Sequence, residues 1–198
     1  NYKEKKGENV LKKIIAEGDI VLTKGKVKAT GQFMTYDVEK KIALMSGSFQ
    51  TFSSPSGYIE SNKVLMFNDT NNKAEAIGKV KIILANKTKI YADNIKADFT
   101  GKEKTLKKAI AKGNVIIENN TDERKSKANL GIYNSTNETV ELKGNVVIIN
   151  QGSTIIGSQG ITNIKTGISK LTSNPDKKER VRGVFSPIIK RKKGDKPE

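Results

Sequence analysis

The chain has 198 residues, enough for one sizeable domain or two small ones, and its 37 Lys and Arg against 21 Asp and Glu give a net charge of +16. It contains no Cys, His or Trp, which excludes disulfides, thiolate nucleophiles, thiolate zinc sites, Ser-His-Asp triads and HExxH zinc centres. Hydrophobic residues make up 35% and aromatics 6%, too few for a thick globular core, while the many β-branched residues argue against disorder throughout.

In chain order, the Lys-rich start from Tyr2 to Lys6 fits no register and reads as a frayed turn or short helix. From there a short unit recurs: a small or apolar residue, any residue, Gly, a polar residue, then aliphatics. It reads Ala16-Glu17-Gly18-Asp19-Ile20-Val21-Leu22, then degenerately Met45-Ser46-Gly47-Ser48-Phe49, then Ala76-Ile77-Gly78-Lys79-Val80-Lys81-Ile82. It returns as Ala111-Lys112-Gly113-Asn114-Val115-Ile116-Ile117 and Leu142-Lys143-Gly144-Asn145-Val146-Val147-Ile148. The glycines are 29, 31, 35 and 31 residues apart.

Between the copies lie β-like segments around Val27–Asp37, Ile90–Phe99 and Lys127–Asn134. Polar clusters such as Asp69-Thr70-Asn71-Asn72 and Ser135-Thr136-Asn137 supply turns, at the spacing of an all-β domain. Leu106, Ala109 and Ile110 before Gly113, and Val38, Ile42 and Met45 before Gly47, have helical spacing with a C-cap glycine. The same register of the repeat holds Thr139-Val140-Glu141-Leu142, which alternates as a strand. One repeated unit takes one structure, so all are read as strands.

A glycine inside a strand marks a bulge, a bend or a close backbone approach. Bends at matching heights predict a rolled stack, each unit of about 30 residues adding one layer. Val115-Ile116-Ile117 and Val146 to Ile149 are apolar on both strand faces, which predicts cover on both. No apolar stretch nears the roughly 20 residues that span a bilayer. The start at Asn1 rather than Met leads to the expectation of a soluble, exported chain whose signal peptide is removed.

Catalytic chemistry finds no support. No GxSxG, SxxK, paired-carboxylate, Walker or Rossmann pattern stands out. Asp69-Thr70-Asn71-Asn72 lacks the sixth-position Gly (Ala74) and twelfth-position acid (Val80) of a calcium loop and reads as a turn. No cofactor and no metal are expected. The basic excess is densest at Lys177, Lys178, Arg180, Arg182 and Lys190 to Lys193. It attracts polyanions: nucleic acid, anionic head groups or phosphorylated glycolipid. Without aromatic stacking platforms the nucleic-acid reading is the weaker one.

The repeated A-x-G-[DN]-[IV]-x-[IL] unit, its spacing, the Tyr36-Asp37 turn and the closing Arg180 to Pro187 segment resemble the LptA/OstA-like family over roughly Ile14 to Pro187. The resemblance implies an all-β fold, an elongated, twisted, open β-jellyroll of about sixteen antiparallel strands. It also implies a periplasmic, non-enzymatic bridge that carries lipopolysaccharide or a similar glycolipid in an apolar slit. Partners would be inner-membrane and outer-membrane transport components with the same jellyroll, and further copies of the chain joined head to tail.

On that basis the expected slit lining is Ile20, Leu22, Val80, Ile82, Val115, Ile117, Val146 and Ile148. The expected edge-strand assembly residues are Ile14, Ile15, Ile20, Val181, Val184 and Phe185. Basic residues near the slit would pair with lipid phosphates. The expected layout is a Lys-rich extension over 1–13, the jellyroll over 14–187 and a basic disordered tail over 188–198. The rival readings are a basic nucleic-acid- or polyanion-binding module and a structural β-solenoid without ligand.

Overall fold

The computed structural model describes residues 2–5, 8–55, 57–85, 87–101, 105–119, 124–163, 165–166, 168–173 and 180–186. The tail over 188–198 and Lys177 and Lys178 lie outside the described residues. Strands β1 (Tyr2–Lys5) and β2 (Glu8–Leu11) pair as a separate antiparallel hairpin. The start of the chain is therefore a strand, not the turn or helix its charge suggested, because Tyr2 and Lys3 find backbone partners in Leu11 and Val10.

The other strands form one fourteen-stranded antiparallel sheet. It begins with β3 (Lys13–Lys24) and β4 (Val27–Asp37). Next come the short pairs β5 (Ile42–Ser46) with β6 (Gln50–Ser54), and β7 (Gly57–Ser61) with β8 (Val64–Asn68). Six long strands follow: β9 (Lys73–Leu84), β10 (Lys89–Thr100), β11 (Thr105–Asn119), β12 (Arg124–Asn134), β13 (Thr139–Asn150) and β14 (Ser153–Asn163). The sheet ends on β15 (Ser169–Thr172) and β16 (Arg182–Val184), both paired with β14. The segment with helical spacing before Gly113 lies wholly within β11, as the repeat required.

Each long strand crosses the molecule once and bends in the middle. The short strands obey the same plan: β4 pairs with β6 through Lys28–Thr30 and with β5 through Phe33–Asp37. Likewise β9 pairs with β8 through Lys73–Ile77 and with β7 through Lys81–Leu84. β5 with β6, β7 with β8 and β15 with β16 thus each make one rung interrupted at the bend. At a strand spacing of about 4.8 Å the stack is about 50 Å long. Each repeat adds two rungs rather than the single layer expected, because the glycine marks alternate strands.

The bends divide the sheet into two arms. The upper arm contains the halves running from the bend through Val80, Val115 and Val146; the lower arm contains those through Ala76, Ala111 and Leu142. At the lower tips, the strand-ending Asp37, Asn68, Asn134 and Asn163 accept backbone N–H bonds from Lys40, Thr70, Thr136 and Lys165 at 2.8–3.0 Å. These Asx turns reverse the chain at four of the lower tips, all but the one between β10 and β11. The core lies where the arms meet: Val80 and Val115 pack with Ala76, Ile95 and Ala111, and Val146 packs with Leu142.

The expected cover on both faces of the aliphatic runs is absent among the described residues. Ile116, Val147 and Ile149 lie half-buried on the outer face, with Lys127 the cross-strand partner of both Ile116 and Val147. Long lysine stems shield such positions while the ammonium stays wet.

Candidate functional site

Side chains alternate along a strand, so residues in register on one face form continuous rows across a sheet. On the inner face of the upper arm one row runs from Leu22 through Ala29, Phe52 and Ile59 to Ile82. It continues through Ile90, Ile117 and Ser126 to Ile148 and Ile155. Facing it, the lower arm carries a row that includes Ala43, Phe67, Ala74, Ala97 and Ala109. Phe67 meets Phe99 edge to face, with ring centroids 6.4 Å apart.

All eight residues expected to line a slit fall on the inner face of this upper arm, but at two depths. Val80, Val115 and Val146 sit at the bend, 1%, 1% and 0% exposed, where they close the fold. A Cβ on Gly131 would stand 3.3 Å from Val115 Cγ1, and one on Gly160 3.4 Å from Val146 Cγ1. Glycine at these two places lets the lower arm approach the upper. One step further out, Ile82 and Ile117 are half-buried and Leu22 is exposed. The deep row is core, and the outer row lies across from a lower-arm row of four alanines interrupted by Phe67 and flanked by Tyr36 and Tyr133. Ile20 and Ile148 are buried.

The interior also holds Gln50 and Ser61, 0% and 1% exposed, at the two interrupted rungs. Ser61 Oγ donates to Val64 O at 3.0 Å. At the C-terminal end of the outer row, a cavity of about 300 Å³ is lined by Ile148, Ile155 and Phe185, with Ser153 and Ser186 at its side. The Ser186 N–H donates to Ser153 Oγ at 3.2 Å, which holds the chain after β16 across the β13–β14 turn.

Charge is unequal between the arms. At the lower tips carboxylates sit beside lysines: Asp37 with Lys40, Asp98 with Lys73 and Glu138 with Lys165, at 3.8–3.9 Å. On the upper arm, Glu60 pairs with Lys81 and Glu118 with Lys125. Lys26, Lys28, Lys87 and Lys89, at or beside its tips, have no carboxylate partner among the described residues. Burial raises the Tyr58 phenol above its ordinary value of 10.0, helped by a hydrogen bond to Glu60 and by that group's negative charge. Among the described residues no cluster of three acidic side chains could hold a metal, and no helix is long and apolar enough to cross a membrane.

The expected assembly residues lie at the two ends of the sheet, though not on one face. Ile14 pairs with Tyr36 on the inner side of β3 and Ile15 points outward. Ile20 lies inside at the bend. Val181 precedes β16, Val184 ends it and Phe185 follows it; the last two are 71% and 73% exposed.

Sequence reasoning missed a second periodic set. Gln32, Asn62, Asp93 and Asn129 sit at the bends of the strands that precede Gly47, Gly78, Gly113 and Gly144, and each lies over the next glycine. They recur 30, 31 and 36 residues apart, close to the spacing of the glycines, a signal hidden because their residue types vary.

A family model described as LptA/(LptD N-terminal domain) LPS transport protein matches residues 58–168. No curated protein matches the sequence. Among solved structures, the chain is similar to LptH of Pseudomonas aeruginosa, described as the LptA-homologous periplasmic component of the conserved lipopolysaccharide transport device. The TM-score is 0.53 at 15% identity, over 75% of this chain and 97% of that one. That likeness establishes a shared fold, the twisted open jellyroll.

Proposed function

Because the chain belongs to the LptA/LptD N-terminal-domain family of LPS transport proteins, we propose that it is a non-enzymatic carrier that shelters lipid acyl chains between its two arms. The observation that carries this reading is the apolar inner row of the upper arm, which runs from Leu22 at one end to Ile155 at the other with Ser126 as its one polar member. Across the gap, Ala74, Ala97 and Ala109 leave room along the middle of the opposing row. Burial of one acyl CH₂ is worth about 0.8 kcal/mol, so several partly sheltered chains bind without a single strong contact. Lys26, Lys28, Lys87 and Lys89 at the upper tips suit the phosphates of a glycolipid such as lipopolysaccharide.

The working unit in this reading is the jellyroll over 14–187, acting in the periplasm between inner- and outer-membrane components of the same fold. The exposed ends of the stack are the contact surfaces, β3 at one and β15 with β16 at the other. There an unpaired row of backbone groups can take a strand of another jellyroll or of a further copy. Val184 and Phe185 add exposed apolar surface to the second end.

A photo-crosslinking residue placed at Ile82 or Ile117 tests the slit. Both should capture lipopolysaccharide, while Lys81 and Ile116, their neighbours on the outer face, should not. Capture from the outer positions alone would overturn the reading.

A further inference from the structure

Four of the five repeat glycines are covered, and the fifth is not. A Cβ on Gly47 would lie 2.6 Å from Gln32 Oε1, and one on Gly144 2.8 Å from Asn129 Nδ2. Cβ atoms on Gly78 and Gly113 would strike Asn62 Oδ1 and Asp93 Oδ2. In every case the covering residue comes from the bend of the rung on the N-terminal side. Two of the covers also accept hydrogen bonds from the bulge they cover. Gln32 Oε1 takes the Ser48 N–H at 2.9 Å, and Asp93 Oδ2 takes Asn114 Nδ2 at 2.9 Å. Gly18, in the first rung of the sheet, has the same bulge, with a φ of +103° and a register shift between Glu17 and Ile20. A Cβ there would meet nothing within 4 Å among the described residues.

We propose that the open bulge at Gly18 is a recognition site for the bend of a partner jellyroll. The partner's terminal strand runs antiparallel to β3 and carries Asn, Asp or Gln over Gly18. The proposal deepens the assembly reading above and rests on it. Strand direction supplies the second constraint. Every pairing in the sheet is antiparallel, so β3, β9, β11, β13 and the last rung of β15 and β16 all run one way. The strands that supply covering residues run the other way. A copy of this chain stacked end on, with arms aligned, would lay its β15 and β16 parallel to β3. Parallel pairing is the slightly less stable arrangement, and it offers the wrong class of rung. The partner that best completes β3 is therefore a different chain, one whose exposed end strand belongs to the covering class, and a further copy of this chain docks there more weakly.

The test uses the whole protein and two labelled peptides copied from its own covering strand β12, residues 124–134. One keeps Asn129 and the other carries Asn129→Leu. A photo-crosslinking residue at Glu17 reports docking on β3, and fluorescence anisotropy reports affinity. The Asn peptide should be captured at Glu17 and bind about fivefold tighter than the Leu peptide, the value of one amide hydrogen bond. A peptide copied from β13, residues 139–150, which is of the glycine class, should bind more weakly than the Asn peptide. Equal affinity for the Asn and Leu peptides would overturn the recognition rule while leaving edge assembly standing. Capture of no peptide at Glu17 would overturn both, and lipid crosslinking from Ile82 would still decide the carrier reading on its own.

Discussion

The carboxylate of Asp93 lies over the backbone of Gly113 and accepts a 2.9 Å hydrogen bond from the Asn114 side chain beside it. Gly113 has a φ of +75° and Asn114 one of +48°, so two successive left-handed residues make the bend of β11. Gly113→Ala adds a clash with Asp93 to the strain of a left-handed alanine and should cost about 2–3 kcal/mol. Gly25→Ala, at a turn with a φ of +60° and open space around it, should cost about 1 kcal/mol. In a double-mutant cycle Asp93→Ala should recover part of the Gly113→Ala loss. Urea denaturation of the four proteins measures this, and strict additivity would mean that the clash is relieved elsewhere.

Depth within the inner face separates stability from binding. Leu142 is 2% exposed where the arms meet, and Leu142→Ala should destabilise by about 2–5 kcal/mol. Leu22, 40% exposed at the end of the outer row, should tolerate alanine with a loss under about 1 kcal/mol. Thermal melts of both variants, beside lipid capture by the Leu22 variant, show whether the outer row matters for ligand more than for folding.

The unequal tips predict a charge effect on one side only. Replacing Lys26, Lys28, Lys87 and Lys89 together by Gln should weaken binding of phosphorylated lipopolysaccharide about tenfold at low salt. Binding of the dephosphorylated lipid should change little. Neutralising Lys40 and Lys165, which already face carboxylates, should have a smaller effect. Equal losses for both lipids would remove the headgroup role.

At the other end of the stack, Val184→Glu with Phe185→Glu should abolish end-on association without lowering the melting temperature. Both side chains are more than two-thirds exposed, at 71% and 73%. Sedimentation velocity over a concentration series reads the association directly. Unchanged assembly would show that this end is not a contact surface.

Tyr58 gives a pH signature. Its phenol is raised above 10.0 in the folded chain, by burial first and then by Glu60, so folding favours the protonated form. Its contribution to stability is fully present below about pH 10, the unfolded value, and is lost as pH rises through the folded one. Wild type should therefore lose more stability than Tyr58→Phe between pH 9.5 and 11.5 (a range set by the phenol pKa of about 10). Identical slopes would discount the raised phenol itself, whether from burial or from Glu60.

Much of this architecture was written in local pattern. Strand-length aliphatic runs at Val80, Val115 and Val146, turn-forming Asp37, Asn68 and Asn134, and glycines at a regular period determined an all-β stack of repeats. They also placed all eight apolar candidates on one face, because a strand has no other way to arrange alternate side chains. The absence of His and Cys removed the common catalytic chemistries before any fold was known.

Depth could not be read the same way. Val115 and Ile117 look alike in the sequence, yet only the fold puts the first against the backbone at Gly131 and leaves the second half-buried. Burial depends on which distant strand lies across the bend, and Ala or Gly on that strand decides how closely the arms approach. The same holds for the covers: Gln32, Asn62, Asp93 and Asn129 share a position but not a single residue type, so only their three-dimensional place over the glycines identifies them. The sequence by itself determined the strands and their period, because both are local, but not which apolar face turns inward. The tertiary structure decided which face is inner, which of its residues close the core, which face the gap, and that Gly18 alone of the five glycines is left without a covering side chain among the described residues.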